Sequence, residues 1–124
     1  MSLGPQVAAV EAALRAKPGA VGAPLASARG VVLYKVMDKM FAILTTNKVE
    51  SVILKCDPHL AEILREQYAG VGHRSHLDRR FWISVALDAD VPLEEIERLV
   101  GHSYDLVRAK LTRKQKAELE AAES

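Results

Sequence analysis

The residues best suited to chemistry lie between positions 73 and 82, where His73, Arg74, His76, Arg79 and Arg80 run directly into Phe81 and the only tryptophan, Trp82. Arginines at the tip of a turn suit anion recognition, because a guanidinium stays charged and its planar fork matches phosphate oxygens. The plainer reading is a solvated turn whose arginines pair with Asp78 or Asp88 while Trp82 enters the core. A second basic patch, Arg108, Lys110, Arg113, Lys114 and Lys116, holds five bases and no acid between positions 108 and 116. Arg108 and Lys110 suit the C-terminal end of a helix, whose dipole favours cations. Bases at 113–116 stand at a helix start, where positive charge is mildly unfavourable, so they suit a partner slightly better than stability. A solvated face is the plainer reading of the patch.

Other reactive residue types lack the company that chemistry needs. His73 and His76 are three apart, which puts them on opposite faces of a strand, and no carboxylate follows at ligand spacing, so no metal is expected. His102 and Asp105 share a helix and offer an acid–base pair, but a hydrogen-bonded structural histidine beside Ser103 and Tyr104 is the simpler role. Cys56 ends an apolar strand just before a helix start, where the dipole lowers a thiol pKa, with His59 as the local base; packing is its plainer role. The glycines at 19, 22, 30, 70, 72 and 101 lack the strand-to-helix setting of a phosphate loop. With no nucleophile matched to a base, the chain reads as a non-enzyme without a cofactor.

The elements that must position these residues follow from spacing. Val7, Val10 and Leu14 share one face of a first helix over 6–16, which Lys17-Pro18-Gly19 stops. Residues 20–30 are small and aperiodic and read as a loop. Three β-rich runs, 31–36, 40–44 and 49–55, are joined at hairpin lengths, and Val52, Leu54 and Cys56 share one face of the third. Asp57-Pro58 starts a second helix ending near Tyr68. His73–Leu77 and Phe81–Leu87 read as a hairpin around Asp78-Arg79-Arg80. A third helix after Pro92 turns Ile96, Leu99, Val100, Ser103 and Val107 inward, and Thr112 with Gln115 forms the capping box of a polar fourth. The order α-β-β-β-α-β-β-α-α, with mostly short strand connections, predicts a two-layer α+β sandwich whose antiparallel sheet is packed by helices.

A chain of 124 residues fits one domain, 1–124, with 1–5 and 118–124 expected to fray. Its apolar runs fall far short of the roughly 20 residues that cross a bilayer, so no membrane partner is expected. One cysteine excludes an internal disulfide and points to a reducing, cytoplasmic setting. The net charge of +1 hides an asymmetry: 87–105 carries six acids against Arg98, whereas 108–116 carries only bases. Local patches, not overall charge, therefore decide the question of an anionic partner.

Four blocks resemble the MmcQ/YjbR family of small bacterial proteins: YKVMDKMFAIL at 34–44, LKCDP with LAEILREQY over 54–68, HLDRRFWISVALD at 76–88, and HSYDLVRAKL at 102–111. The resemblance implies a frataxin-like (CyaY-like) α+β fold and a DNA-binding role ascribed to members on structural grounds, with paired hairpins likened to wings. Family members often carry Pro-Phe-Gly before the first strand, where this chain has Pro24-Leu25-Ala26, and histidine before the tryptophan, where it has Phe81. The first functional expectation is weak, salt-dependent DNA binding by phosphate contacts from Arg74, His76, Arg79, Arg80, Arg108, Lys110, Arg113 and Lys114. The second is an adaptor for a protein or small ligand, working through the acidic segment 88–105 or a cleft between sheet and helices.

Overall fold

In the computed structural model, which describes residues 4–74 and 76–123, Val7, Val10 and Leu14 form the buried stripe of α1 (Pro5–Arg15), as their spacing requires. Strands β1 (Ala20–Pro24), β2 (Val31–Val36), β3 (Lys39–Thr45) and β4 (Ser51–Lys55) follow as a meander. Then come α2 (Pro58–Gln67), β5 (Val71–Gly72), β6 (Trp82–Ala86), α3 (Leu93–Ala109) and α4 (Arg113–Glu123). The described strands form one six-stranded sheet, β1-β2-β3-β4-β6-β5, with every neighbouring pair antiparallel. All four described helices bury side chains against one face of it: Val10 and Leu14 from α1, Ala61 and Leu64 from α2, Ile96, Leu99 and Val100 from α3, Leu119 from α4. The two-layer α+β sandwich is therefore as expected.

Caps and turns follow local chemistry. Asp57 accepts from the amides of His59 and Leu60, both at 3.1 Å, and starts α2. Thr112 and Gln115 exchange bonds of 3.0 and 3.1 Å in the expected capping box. Met37 and Asp38, at φ 48° and 67°, form the two-residue turn between β2 and β3, whose sense of twist matches the strands.

Two expectations about strands are corrected. Residues 20–24 are not loop but the edge strand β1, paired from Ala20↔Val36 to Pro24↔Val32. Small exposed residues give no periodic signal, and the strand exists because β2 offers it an open edge. Gly22 lies beneath Tyr34, where a Cβ would come within 2.6 Å of the ring. Among the described residues of 73–77 the predicted strand does not form either. Pairing with β6 stops at Gly72, the Leu77 amide turns back to Arg74 O at 3.3 Å, and His76 takes a left-handed φ of 72°. Position 75 of that predicted strand lies outside the described residues, as do positions 1–3 and 124 of the segments expected to fray. Within the described residues α4 continues to Glu123, with Leu119 buried.

Trp82 is not a main-core residue either. Side chains alternate across a strand, so Ile83 and Val85 meet the helices while Trp82 faces the other way. There it packs with Leu33, Met40, Leu77 and Ala28 on a small second cluster of Val31, Ile43 and Ile53. Leu77 thus draws the loop 73–81 down onto the sheet instead of letting it project.

One polar contact joins the layers. The β2–β3 register slips between Tyr34 and Lys35, so Phe41 is the extra residue of a bulge, and both Phe41 and Ala42 enter the core. A bulged residue stands outside the regular ladder. The Phe41 carbonyl accepts instead from the Ser103 hydroxyl at 2.5 Å, and that hydroxyl accepts from the Lys55 amide at 2.9 Å. Ser103 is fully buried, so truncating it strands a donor and an acceptor in an apolar interface. Ser103→Ala is expected to cost about 2–4 kcal/mol in urea denaturation; a loss below about 0.5 kcal/mol, typical of a surface change, contradicts this role.

Candidate functional site

The loop 73–81 is held at its ends and from within, and the turn before β5 is held separately. Arg65, near the end of α2, donates to Gly72 O at 3.4 Å, Arg79 O at 2.6 Å and Trp82 O at 2.9 Å, tying together both ends of the loop. Asp78 accepts from the Arg80 amide at 3.0 Å and from its guanidinium at 3.1 and 2.8 Å, and these bonds hold the Asp78 carboxyl below its ordinary pKa. The Arg80 guanidinium also lies 5.2 Å from the centre of the Phe81 ring. From beyond β6, Asp90 accepts from the amides of Gly70 at 2.7 Å and Ala69 at 2.8 Å, which likewise lowers its pKa. One acid of the 88–105 segment therefore has a structural task.

The polar residues of 102–108 are occupied in the same way. His102 Nε2 accepts from the Asp57 amide at 3.3 Å, so it braces the β4–α2 junction and is not paired with Asp105. Tyr104 donates to Pro18 O at 2.5 Å and accepts from Arg108 at 3.1 Å, and Arg108 pairs with Glu123 at 2.7 Å. Cys56 is buried, and burial, with the nearby Asp57 carboxylate adding to it, pushes its thiol pKa up to about 11, against the activation that a helix start suggests. Among the described residues no three His, Cys, Asp or Glu side chains gather to hold a metal ion.

The predicted contacts thus divide. Arg80 and Arg108 are held in ion pairs. Arg74, His76, Arg113 and Lys114 are exposed and line none of the clefts described below. Arg79 lines a shallow cleft of about 210 Å³ with Pro58, Glu62, Arg65 and Arg80. Lys110 meets two lysines not anticipated from the sequence: Lys39 at the start of β3, Lys55 at the end of β4 and Lys110 just past α3 line a cleft of about 340 Å³ with Met40, Val107 and Asp38. The two clefts flank the β4–α2 junction, since Lys55 lines one and Pro58 the other. The signal for Lys55 was its period-two spacing from Ile53, which puts it on the sheet face that the helices leave bare. A larger cleft, about 650 Å³, runs beside β1 but sets Lys35 against Asp38 and Glu118, so it carries no excess of positive charge.

The arrangement of these elements can be set against known proteins. The YjbR family model matches residues 15–106. The chain belongs to the YjbR family. The uncharacterised protein YjbR of Escherichia coli K12, and that of strain O157:H7, are 41% identical to it over 73 residues, covering 56% of this chain and 60% of the relative's length. A crystal structure of a Deinococcus radiodurans protein with a DUF419 domain superposes with a TM-score of 0.80 at 28% identity, covering 92% of this chain and 87% of its own. A Pseudomonas syringae crystal structure gives 0.69 at 23% identity over 85% of this chain and 99% of its own, a likeness of fold. The match to the Deinococcus radiodurans structure extends over nearly the whole of this fold. No described helix is long and apolar enough to cross a membrane.

Asp78, within the loop, and Asp90, at the turn before β5, give these anchors a pH dependence of known sign. Both carboxyls have lowered pKa values in the fold. Their stabilisation is complete above the unfolded value of about 3.9 and is lost as pH falls through the lower folded values. Thermal melts from neutral pH downward should show falling stability below about pH 4, and Asp90→Asn should flatten that acid limb. An unchanged acid limb in the variant contradicts the anchoring role.

Proposed function

We propose that this protein binds nucleic acid non-catalytically and weakly, by phosphate contacts centred on Lys39, Lys55 and Lys110, with Arg79 and Arg74 extending the contact. The observation that carries the reading is the convergence of three lysines from three separate elements on one cleft, where Asp38 is the one carboxylate among the described lining residues. Three cations against one carboxylate give this cleft a local excess of positive charge that an anion can neutralise. Lysine is a strongly hydrated point charge without the fork geometry that reads a base edge, so the contact is sequence-tolerant. Of the contacts first expected, Arg80 and Arg108 contribute least, because each already has a carboxylate partner.

Fluorescence anisotropy of labelled DNA at several salt concentrations tests the reading. Binding should weaken steeply with salt, and a Lys39→Ala/Lys55→Ala/Lys110→Ala variant should lose roughly one unit of log–log salt slope per phosphate contact removed. Arg113→Ala/Lys114→Ala should change the slope less. No binding at low salt, or a triple variant indistinguishable from the parent, contradicts the reading.

A further inference from the structure

A wing that enters a duplex groove stands off the body on paired strands. Here β5 has two residues, Leu77 packs down on the second apolar cluster, and Arg65 ties both ends of the loop to α2. What the loop delivers is aromatic surface beside the lysines. Trp82 is the cross-strand partner of Lys55, so the two side chains stand on the same face of the sheet as neighbours. Trp82 is only partly buried there, and Phe81 next to it is 38% exposed. Lys55 continues into the cleft with Lys39 and Lys110. An indole with exposed surface beside Lys55, which also lines the three-lysine cleft, fits an extended polyanion whose base faces are free, since aromatic stacking plus backbone charge is how sequence-tolerant single-strand recognition works. A duplex keeps those base faces stacked and offers the indole nothing.

We propose that the ligand is single-stranded nucleic acid, one base stacking on Trp82 while Lys55, Lys39 and Lys110 take the phosphates alongside. This rests on the nucleic-acid reading above and specifies its substrate. Because Trp82 is the sole tryptophan, its emission reports the contact directly in the unaltered protein. Titration with a short oligothymidylate should quench that emission saturably, and the single strand should bind about tenfold or more tightly than a duplex of equal length at the same salt. Trp82→Leu, which keeps an apolar side chain on the cluster, should weaken binding of a labelled single strand about tenfold and move duplex binding less than about twofold. Duplex binding as tight as single-strand binding, or single-strand binding with unchanged emission, overturns the single-strand inference while the phosphate reading stands. No binding of either at low salt overturns both. The emission measurement needs no variant, so a Trp82→Leu protein that fails to fold leaves the test intact.

Discussion

The structure depends on the hydroxyl of Ser103. It lies in an apolar interface between α3 and the sheet, where an unpaired polar group is costly. A serine hydroxyl can donate once and accept as well, and both capacities are used: it donates to the bulged Phe41 carbonyl and accepts from the Lys55 amide. The bulge and the buried serine therefore require each other. Without the bulge the Phe41 carbonyl would belong to the regular ladder, and without the serine two backbone groups in the core would lack partners. This junction also fixes where β4 ends, and so where Lys55 stands relative to Lys39 and Lys110.

Neighbouring residues of α3 extend the same logic to other elements. His102 braces the β4–α2 junction, Tyr104 reaches the turn before β1, and Arg108 reaches the end of α4. Tyr104 also packs edge-on against Phe41, with ring centres 5.5 Å apart and planes at 85°, in the geometry that aromatic quadrupoles favour. A segment dense in histidine, serine, tyrosine and arginine thus does structural work throughout. The loop 73–81 repeats the pattern, since Asp78 and Arg80 satisfy each other and Arg65 holds the backbone. These partners occupy Arg80 and Arg108 among the cations first expected at a ligand.

Much of the fold was legible because burial writes a period into the sequence. The stripes Val7-Val10-Leu14 and Ile96-Leu99-Val100-Ser103-Val107, the Asp57-Pro58 start and the Thr112–Gln115 box each have a local cause and each stands as read. Three things were not legible. Strand β1 has no side-chain signal, because its pairing energy comes from β2's backbone. The 73–77 segment reads as a strand, yet Leu77 is drawn instead to the bare sheet face, a tertiary preference invisible to spacing. The candidate site was the least legible of all: Lys39, Lys55 and Lys110 are far apart in sequence, and no local pattern marks residues that only topology brings together.

The central claim is that the anion site lies at the sheet end formed by β3, β4 and the residue after α3, and not at the denser run of bases that begins α4. Backbone amide and indole NMR shifts recorded during titration with an oligothymidylate test it directly. The account predicts perturbations concentrated at Lys39, Lys55, Lys110 and the Trp82 indole, with Arg113 and Lys114 little changed. Perturbations centred on Arg113 and Lys114, with the Trp82 indole unmoved, would contradict it.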